Sequence, residues 1–152
     1  MLTFNFKIVP KDTLYYSLLD FLRLISDKFM LVRREEFSFN DETDTLLNQL
    51  SDYLIDKVYS NKWPGTELLS NKKAEIFYFE VNDVTIEFLK EYSNSLFDWI
   101  APKLLEDLCF FRRDGSLILV SVTHEKECWI NLKEEELRIL TRGFPELKEI
   151  LR

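Results

Sequence analysis

The stretch from Leu108 to Leu132 reads LCFFRRDGSLILVSVTHEKECWINL, and it decides how we expect this chain to fold. It contains three apolar runs separated by two groups of turn-forming residues. Asp114-Gly115 stands in the first group, and an Asp-Gly pair between apolar runs is a strong signal for a β-hairpin. The second group is His124-Glu125-Lys126. The stretch therefore predicts an antiparallel meander of three strands, Leu108 to Phe111, Leu117 to Val122 and Cys128 to Leu132.

The pairing of these strands follows if Arg112 lies opposite Leu117 at the first turn. The second turn then brings Cys128 opposite Val122. Alternate residues of a strand point to the same face. One face would carry Cys109, Phe111, Ile118, Val120, Val122, Cys128 and Ile130, and the other Leu108, Phe110, Leu117, Leu119, Ser121 and Trp129. Both faces of the middle strand are mainly apolar, which predicts an interior strand covered on both sides.

The remaining elements are read from hydrophobic periodicity, caps and turn residues. We expect strands at 2–9, 30–33 and 74–81, with 35–39 either extending the second strand or pairing with it. We expect helices at 13–29, from Asn40 to about Ser60, from Asn82 or Asp83 onward and at 132–141, a turn at 63–66 and a short terminal turn at 145–151. This order predicts an α+β fold in one domain, 1–152, with a largely antiparallel sheet packed by about four helices.

Composition narrows the classes of function. The chain has 152 residues, 46% of them hydrophobic, so a folded domain is expected and disorder is excluded. Its formal charge of −7 argues against broad nucleic-acid binding and suits a basic protein partner. No apolar run is long enough for a membrane helix, and the first residues lack the pattern of a signal peptide, so we expect a cytoplasmic protein. Cys109 and Cys128 are expected to be small core residues two strands apart, too distant for a disulfide.

The search for catalytic chemistry centres on His124, the single histidine. A histidine-dependent triad or metal site would have to use it, and it stands beside Glu125 at an expected turn. The alternative is a turn residue whose ring bonds neighbouring backbone or the Glu125 carboxylate. No phosphate-binding, zinc or serine-hydrolase motif is present, so we expect no cofactor and no metal. Glu106-Asp107 is an adjacent acid pair with no spacing typical of a catalytic pair, and Arg112-Arg113 is expected to be solvated.

A set of short motifs in the second half of the chain points to a known group of proteins. In order they are Trp63-Pro64-Gly65-Thr66, Leu96-Phe97-Asp98-Trp99, Pro102, Glu106-Asp107-Leu108-Cys109-Phe110 and His124-Glu125. Together they resemble small bacterial proteins of the immunity type, which accompany secreted polymorphic toxins; Leu105 stands where that pattern has a proline. The resemblance spans Trp63 to Trp129. It implies a cytoplasmic protein that neutralises a cognate toxin by binding it, and it implies no catalytic residues.

The function expected from the sequence is therefore that of a non-enzymatic protein-binding module, with an acidic surface covering a basic toxin face. Asp41, Glu42, Asp44 and Trp63 are the candidate partner-binding residues: three acids at a helix start and a tryptophan in an expected surface loop. Two alternatives stay open. One is a small hydrolase or transferase that uses His124 and Glu125, and the other is a structural subunit of a larger assembly.

Overall fold

The computed structural model describes residues 1–69 and 71–152. Its strands are β1 (Leu2–Asn5), β2 (Lys28–Arg34), β3 (Leu54–Ser60), β4 (Lys62–Trp63), β5 (Thr66–Glu67), β6 (Ala74–Glu80), β7 (Glu106–Phe111), β8 (Leu117–Val122) and β9 (Glu127–Leu132). Its α-helices are α1 (Thr13–Ile25), α2 (Asp41–Leu50), α3 (Asp83–Tyr92), α4 (Glu134–Gly143) and α5 (Pro145–Glu149). Among the described residues, no helix combines the length and the apolar character needed to cross a membrane.

One antiparallel sheet of seven strands organises the molecule, in the order β1-β9-β8-β7-β2-β6-β3. The hairpin of β4 and β5 is separate from it. The α+β fold with a largely antiparallel sheet is confirmed, and so is the meander of β7, β8 and β9. The described residues contain five α-helices where about four were expected, because the segment after Pro145 forms a short helix with the proline in its first turn.

Two cores cover the two faces of the sheet. The first, which we call the helical core, lies between the sheet and the helices; its large members include Tyr15, Phe21, Leu46, Leu89, Trp99, Phe110 and Leu140. The second, which we call the hairpin core, contains Met30, Val32, Trp63, Ala74, Ile76, Cys109, Phe111, Val120 and Val122. β8 contributes to both, and its residues from Ile118 to Val122 are buried. The expectation that the middle strand of the meander is covered on both sides is therefore confirmed.

The register of the meander was predicted only in part. Phe110 lies opposite Leu119, as expected, but the pairing shifts by one residue before Phe111, which lies opposite Leu117. Ile118 is therefore the extra residue of a bulge. In the second hairpin Ser121, and not Val122, lies opposite Cys128. A slip of one residue exchanges the two faces of a strand, so Cys128 and Ile130 belong to the helical core and Trp129 packs against the hairpin core.

The ends of two helices were predicted wrongly, because in each case the last residues of the expected helix belong to a strand. α1 ends at Ile25 and not at Phe29, and α2 ends at Leu50, so the segment from Leu54 to Ser60 is a strand and not a continuation of the helix. Leu50, Leu54 and Val58 recur every four residues and imitate a helix stripe. In the fold, β3 instead pairs along β6. Tertiary pairing overrides the local pattern in such segments.

The last long helix, expected at 132–141, is shifted by two residues to Glu134–Gly143. Further boundary differences lie in the first forty residues. β1 ends at Asn5 and not at Val9, and Phe6 makes a single bridge to Leu151. β2 begins at Lys28, in the part of the chain assigned to the first helix, and ends at Arg34. The segment 35–39 is a turn that neither extends β2 nor pairs with it.

Candidate functional site

A cavity of about 460 Å³ opens beside the hairpin of β4 and β5, between the end of β2 and the turn that follows β8. The residues that line it include Arg34, Glu36, Thr66, Lys72 and His124. The Glu36 carboxylate bridges two cations there, since it lies 3.4 Å from Arg34 and 2.8 Å from Lys72. The single histidine therefore stands at the edge of a concave, charged site.

Glu106, the first residue of β7, lies directly beneath this cavity and is fully buried. One oxygen, Oε2, contacts His124 Nε2, and the other, Oε1, lies 3.9 Å from Arg34 Nε. Neither oxygen has an aligned hydrogen-bond partner among the described residues. Burial raises the pKa of Glu106 to about 7, the neighbouring Asp107 adds to the rise, and Arg34 opposes it. The carboxyl group therefore titrates close to neutral pH.

His124 sits in the one-turn helix between β8 and β9, with 38% of its side chain exposed. Its ring packs against Phe37, with 5.0 Å between the centroids. Burial lowers the pKa of His124, and the positive charge of Arg34 lowers it further. The expected partner was Glu125 or local backbone, whereas the carboxyl group in contact is Glu106, eighteen positions earlier in sequence. Glu125 itself is exposed.

Asp107 ties the hairpin to the meander. It adopts a left-handed backbone conformation with φ of 56°, which costs about 1–2 kcal/mol for a residue with a side chain. Its Oδ2 accepts a hydrogen bond from Trp63 Nε1 at 2.9 Å, and its Oδ1 accepts one from the Thr123 backbone N–H at 2.9 Å. The two bonds compensate for the backbone strain and hold the floor of the cavity in place.

Trp63 was expected to be an exposed anchor, and that expectation is wrong because the hairpin folds back onto the sheet. The side chain is buried, with 4% of the residue exposed, and the Arg34 guanidinium lies 5.3 Å from its ring. The turn that follows brings Gly65 against Val122: a Cβ at Gly65 would lie 2.5 Å from Val122 Cγ2. Trp63 therefore supports the site from beneath.

Chemically, the arrangement pairs an acid of raised pKa with an imidazole of lowered pKa, a combination able to exchange one proton near neutral pH. Three further buried polar atoms around it have no hydrogen-bond partner in the described part of the chain: Arg34 Nε, Thr66 Oγ1 and Thr123 Oγ1. Burial strongly raises the pKa of Cys109, so that thiol is not an activated nucleophile. Among the described residues, no group of three or more His, Cys, Asp or Glu side chains is placed to hold a metal ion.

The three acidic candidates lie on the first turn of α2, and all three are exposed. Asp44 pairs with Arg33 at 3.1 Å. Asp41 and Glu42 make no ion pair within residues 1–69 and 71–152. Carboxylates at this position also interact favourably with the helix dipole. The fold thus leaves Asp41 and Glu42 accessible, and it separates both from the buried Trp63.

Sequence reasoning did not single out a second surface, on α3. Here a shallow depression of about 380 Å³ is lined by Val84 and Phe88 together with Asp83, Glu87 and Glu91. The three acids are spaced four residues apart, which places them along one side of the helix. Val84 is 47% exposed. The four-residue spacing of the acids can be read from the sequence, but the exposure of Val84 depends on which side of α3 packs against the sheet.

The Arg112-Arg113 pair, expected to be solvated, is divided by the fold. Arg112 is 5% exposed, and its Nε and Nη2 each donate to a different oxygen of Glu136 at 2.6 Å. Arg113 is exposed. The Arg112–Glu136 ion pair joins the end of β7 to the start of α4, so the role of Arg112 is structural.

Comparison with known proteins finds no match: no family model, no curated protein and no solved structure matches the chain.

Proposed function

We propose that this protein is a non-enzymatic binding module that masks a basic face of another protein, in the manner of an immunity protein that neutralises a bacterial toxin in the cytoplasm. The observation that carries the proposal is the α3 depression, where the exposed Val84 and the half-buried Phe88 lie beside a row of three acids. Two of these acids also pair with cations of this chain, Asp83 with Arg23 at 2.6 Å and Glu87 with Lys90 at 3.4 Å. Such a surface complements an apolar side chain surrounded by lysines and arginines, since interfaces place aromatic or aliphatic anchors in pockets with a charged rim.

The proposed interface also includes the exposed acids of α2. Both helices pack on the same face of the sheet, and Tyr92 at the end of α3 donates a hydrogen bond to Gln49 near the end of α2. Asp41 and Glu42 are exposed on the first turn of α2. The proposed mechanism is steric and electrostatic: the acidic helices attract and cover the basic catalytic face of a toxin, and no bond is made or broken.

The test is calorimetric titration against the toxin encoded beside this gene, together with rescue of cells that express the toxin. Val84→Lys puts a cation into the depression and is expected to weaken binding at least tenfold, a loss of about 1.4 kcal/mol. Ile139→Lys is the matched control, because Ile139 is a helical aliphatic residue that is 40% exposed, on α4. No heat of binding to the toxin, or equal weakening by both variants, would contradict the proposal.

A catalytic role remains the second candidate, and one specific observation favours it: the His124–Glu106 contact at the edge of a cavity. In this version Glu106 replaces Glu125 as the acid of a small hydrolase or transferase. His124→Gln separates the two functions. If the protein masks the toxin, the variant binds and rescues as the wild type does. If it modifies the toxin or a product of the toxin, rescue is lost while binding persists.

A further inference from the structure

The two edges of the seven-stranded sheet differ. At one edge, β1 is continued by the chain's own C-terminal residues: the backbone N–H groups of Asn5 and Arg152 each donate to the other's carbonyl at 2.9 Å, and Lys7 N–H donates to Ile150 O at 2.7 Å. At the other edge, β3 pairs with β6 on one side only, within the described residues. Its seven residues leave one row of backbone groups facing outward.

β3 is also apolar where a surface strand is normally polar. Four of its large side chains are exposed: Leu54 at 41%, Ile55 at 53%, Val58 at 38% and Tyr59 at 55%. They fall on both faces of the sheet, since Tyr59 lies opposite Glu75 and Val58 lies opposite Ile76, the next residue along β6. An exposed edge strand with apolar side chains is a template for pairing with another strand.

The hydrogen bonds show which backbone groups face outward. The Lys57 N–H donates to the side chain of Asp56, with 2.8 Å between N and Oδ1. A bond of this kind suits an N–H that is turned toward the free edge of the strand. Antiparallel pairing alternates inward and outward residues along a strand. The pairing of β3 with β6 shifts between Leu54 and Asp56, so Ile55 is the extra residue of a bulge, and it is regular from Asp56 to Ser60. Within that regular part, Lys57 and Tyr59 present their N–H and C=O groups to the free edge, while Asp56 and Val58 direct theirs to β6.

We propose that β3 pairs antiparallel with β3 of a second copy of this chain, with Val58 on the two-fold axis, so that two sheets join into one. A two-fold axis perpendicular to a sheet places one residue opposite its own copy. A register centred on Asp56 or on Lys57 would set like charges directly opposite each other, which is destabilising. A register centred on Val58 avoids this.

The Val58-centred register makes complementary pairs. Val58 lies opposite Val58, Lys57 opposite Tyr59 and Asp56 opposite Ser60 of the second copy. The first pair is apolar, the second sets a cation against an aromatic ring, and the third sets a carboxylate against a hydroxyl. Because Lys57 and Tyr59 face outward, their backbone groups can exchange two hydrogen bonds on each side of the axis. In the dimer, the Lys57 N–H donates to a carbonyl of the second copy instead of the Asp56 carboxylate.

The experiment places opposite charges on the axis. Sedimentation velocity of the purified chain, from micromolar to hundreds of micromolar, is expected to show a monomer–dimer equilibrium. Val58→Lys alone and Val58→Glu alone are expected to be monomeric, because each sets like charges opposite each other. An equimolar mixture of the two is expected to restore a dimer. A wild type that is monomeric over the whole range, or a mixture that does not associate, would overturn the proposal.

A second pair of variants tests the backbone contribution. Tyr59→Pro removes an outward N–H without removing a hydrogen bond to β6, whereas Tyr59→Thr removes the ring and keeps the N–H. The proline variant is expected to abolish the dimer, while the threonine variant weakens it and still associates. Equal association of the two variants, each folded by circular dichroism, would show that β3 does not pair through its backbone. Toxin titration is an independent readout, so this inference fails or stands separately from the proposed function.

Discussion

Arg112 and Glu136 show how far one residue's role depends on its distant partner. Both are nearly buried and form a two-point ion pair between β7 and α4. Burial acts to raise the pKa of Glu136, but the hydrogen bonds from Arg112 and from the Lys133 backbone N–H, together with the positive charges of these two residues, outweigh it and the pKa is lowered. The pair therefore contributes stability above the acid's ordinary pKa near 4.5 and loses it as the pH falls through the folded-state value.

Glu136→Gln is expected to lower the free energy of unfolding by roughly 3 kcal/mol at neutral pH, because it leaves the Arg112 charge buried without a counter-ion. The measurement is urea unfolding followed by circular dichroism. Asp44→Asn is the control: it breaks the exposed Arg33–Asp44 pair and should cost less than about 1 kcal/mol. Equal losses in the two variants would mean that burial of the first pair is energetically unimportant.

Glu106 has the opposite pH dependence. Its pKa is about 7 in the folded protein against an ordinary value of 4.5, so between these values the folded state binds more protons than the unfolded state. Stability must therefore fall as the pH rises through this window, by roughly 3 kcal/mol in all. Glu106→Gln removes the group, so the variant should gain stability relative to the wild type on going from about pH 5 to about pH 8.

Chemical denaturation at several pH values measures this difference. Glu125→Gln is the control, since it changes an exposed neighbour of the same cavity and should leave the wild-type pH dependence in place. If the wild type and Glu106→Gln keep a constant difference over the whole range, the buried acid does not titrate there.

The hairpin of β4 and β5 is the element that encloses the site. Pro64-Gly65 turns the chain back, Trp63 enters the hairpin core, and its indole N–H donates to the buried Asp107. The closeness of Gly65 to Val122 makes this docking sensitive to a single methyl group. Because the hairpin has only two residues in each strand, tertiary packing and not strand pairing holds it in place.

Gly65→Ala is expected to destabilise the protein by roughly 3 kcal/mol, since it combines a left-handed backbone with a collision in a packed core. Gly115→Ala is a matched control: its φ of +87° is similar to the +80° of Gly65, but an added Cβ meets no described atom within 4 Å. It should cost only about 1 kcal/mol. Thermal unfolding and tryptophan fluorescence would report both effects, and similar losses would mean that the contact with Val122 can relax.

At the scale of the whole molecule, the formal charge of −7 can affect binding through its total and through where the acids lie. A net charge steers association over long distances, whereas a local patch also decides the final contact. Asp41 and Glu42 lie on the first turn of α2, and Glu134 and Glu135 lie at the same place on α4. All four are exposed. The two pairs therefore separate the effect of total charge from that of position.

Asp41→Asn with Glu42→Gln is expected to slow association with the proposed toxin partner several-fold and to reduce the dependence of the association rate on salt. Glu134→Gln with Glu135→Gln changes the net charge equally and should have a much smaller effect. Stopped-flow binding at several salt concentrations checks both. Identical slowing in the two variants would assign the effect to net charge and remove α2 from the interface.

The sequence by itself determined the α+β class, the meander, the turn at Pro64-Gly65 and the start of α3 at its Asn82 cap, where side chain and backbone exchange hydrogen bonds with Thr85. These features rest on turn chemistry, capping and periodicity over a few neighbouring residues. Only the tertiary structure decided that Leu54–Ser60 is a strand, that β9 is shifted by one residue, that Trp63 is buried and that His124 meets Glu106. Each of these depends on a partner far away in the chain, and local residue patterns carry no information about which distant segment that partner will be.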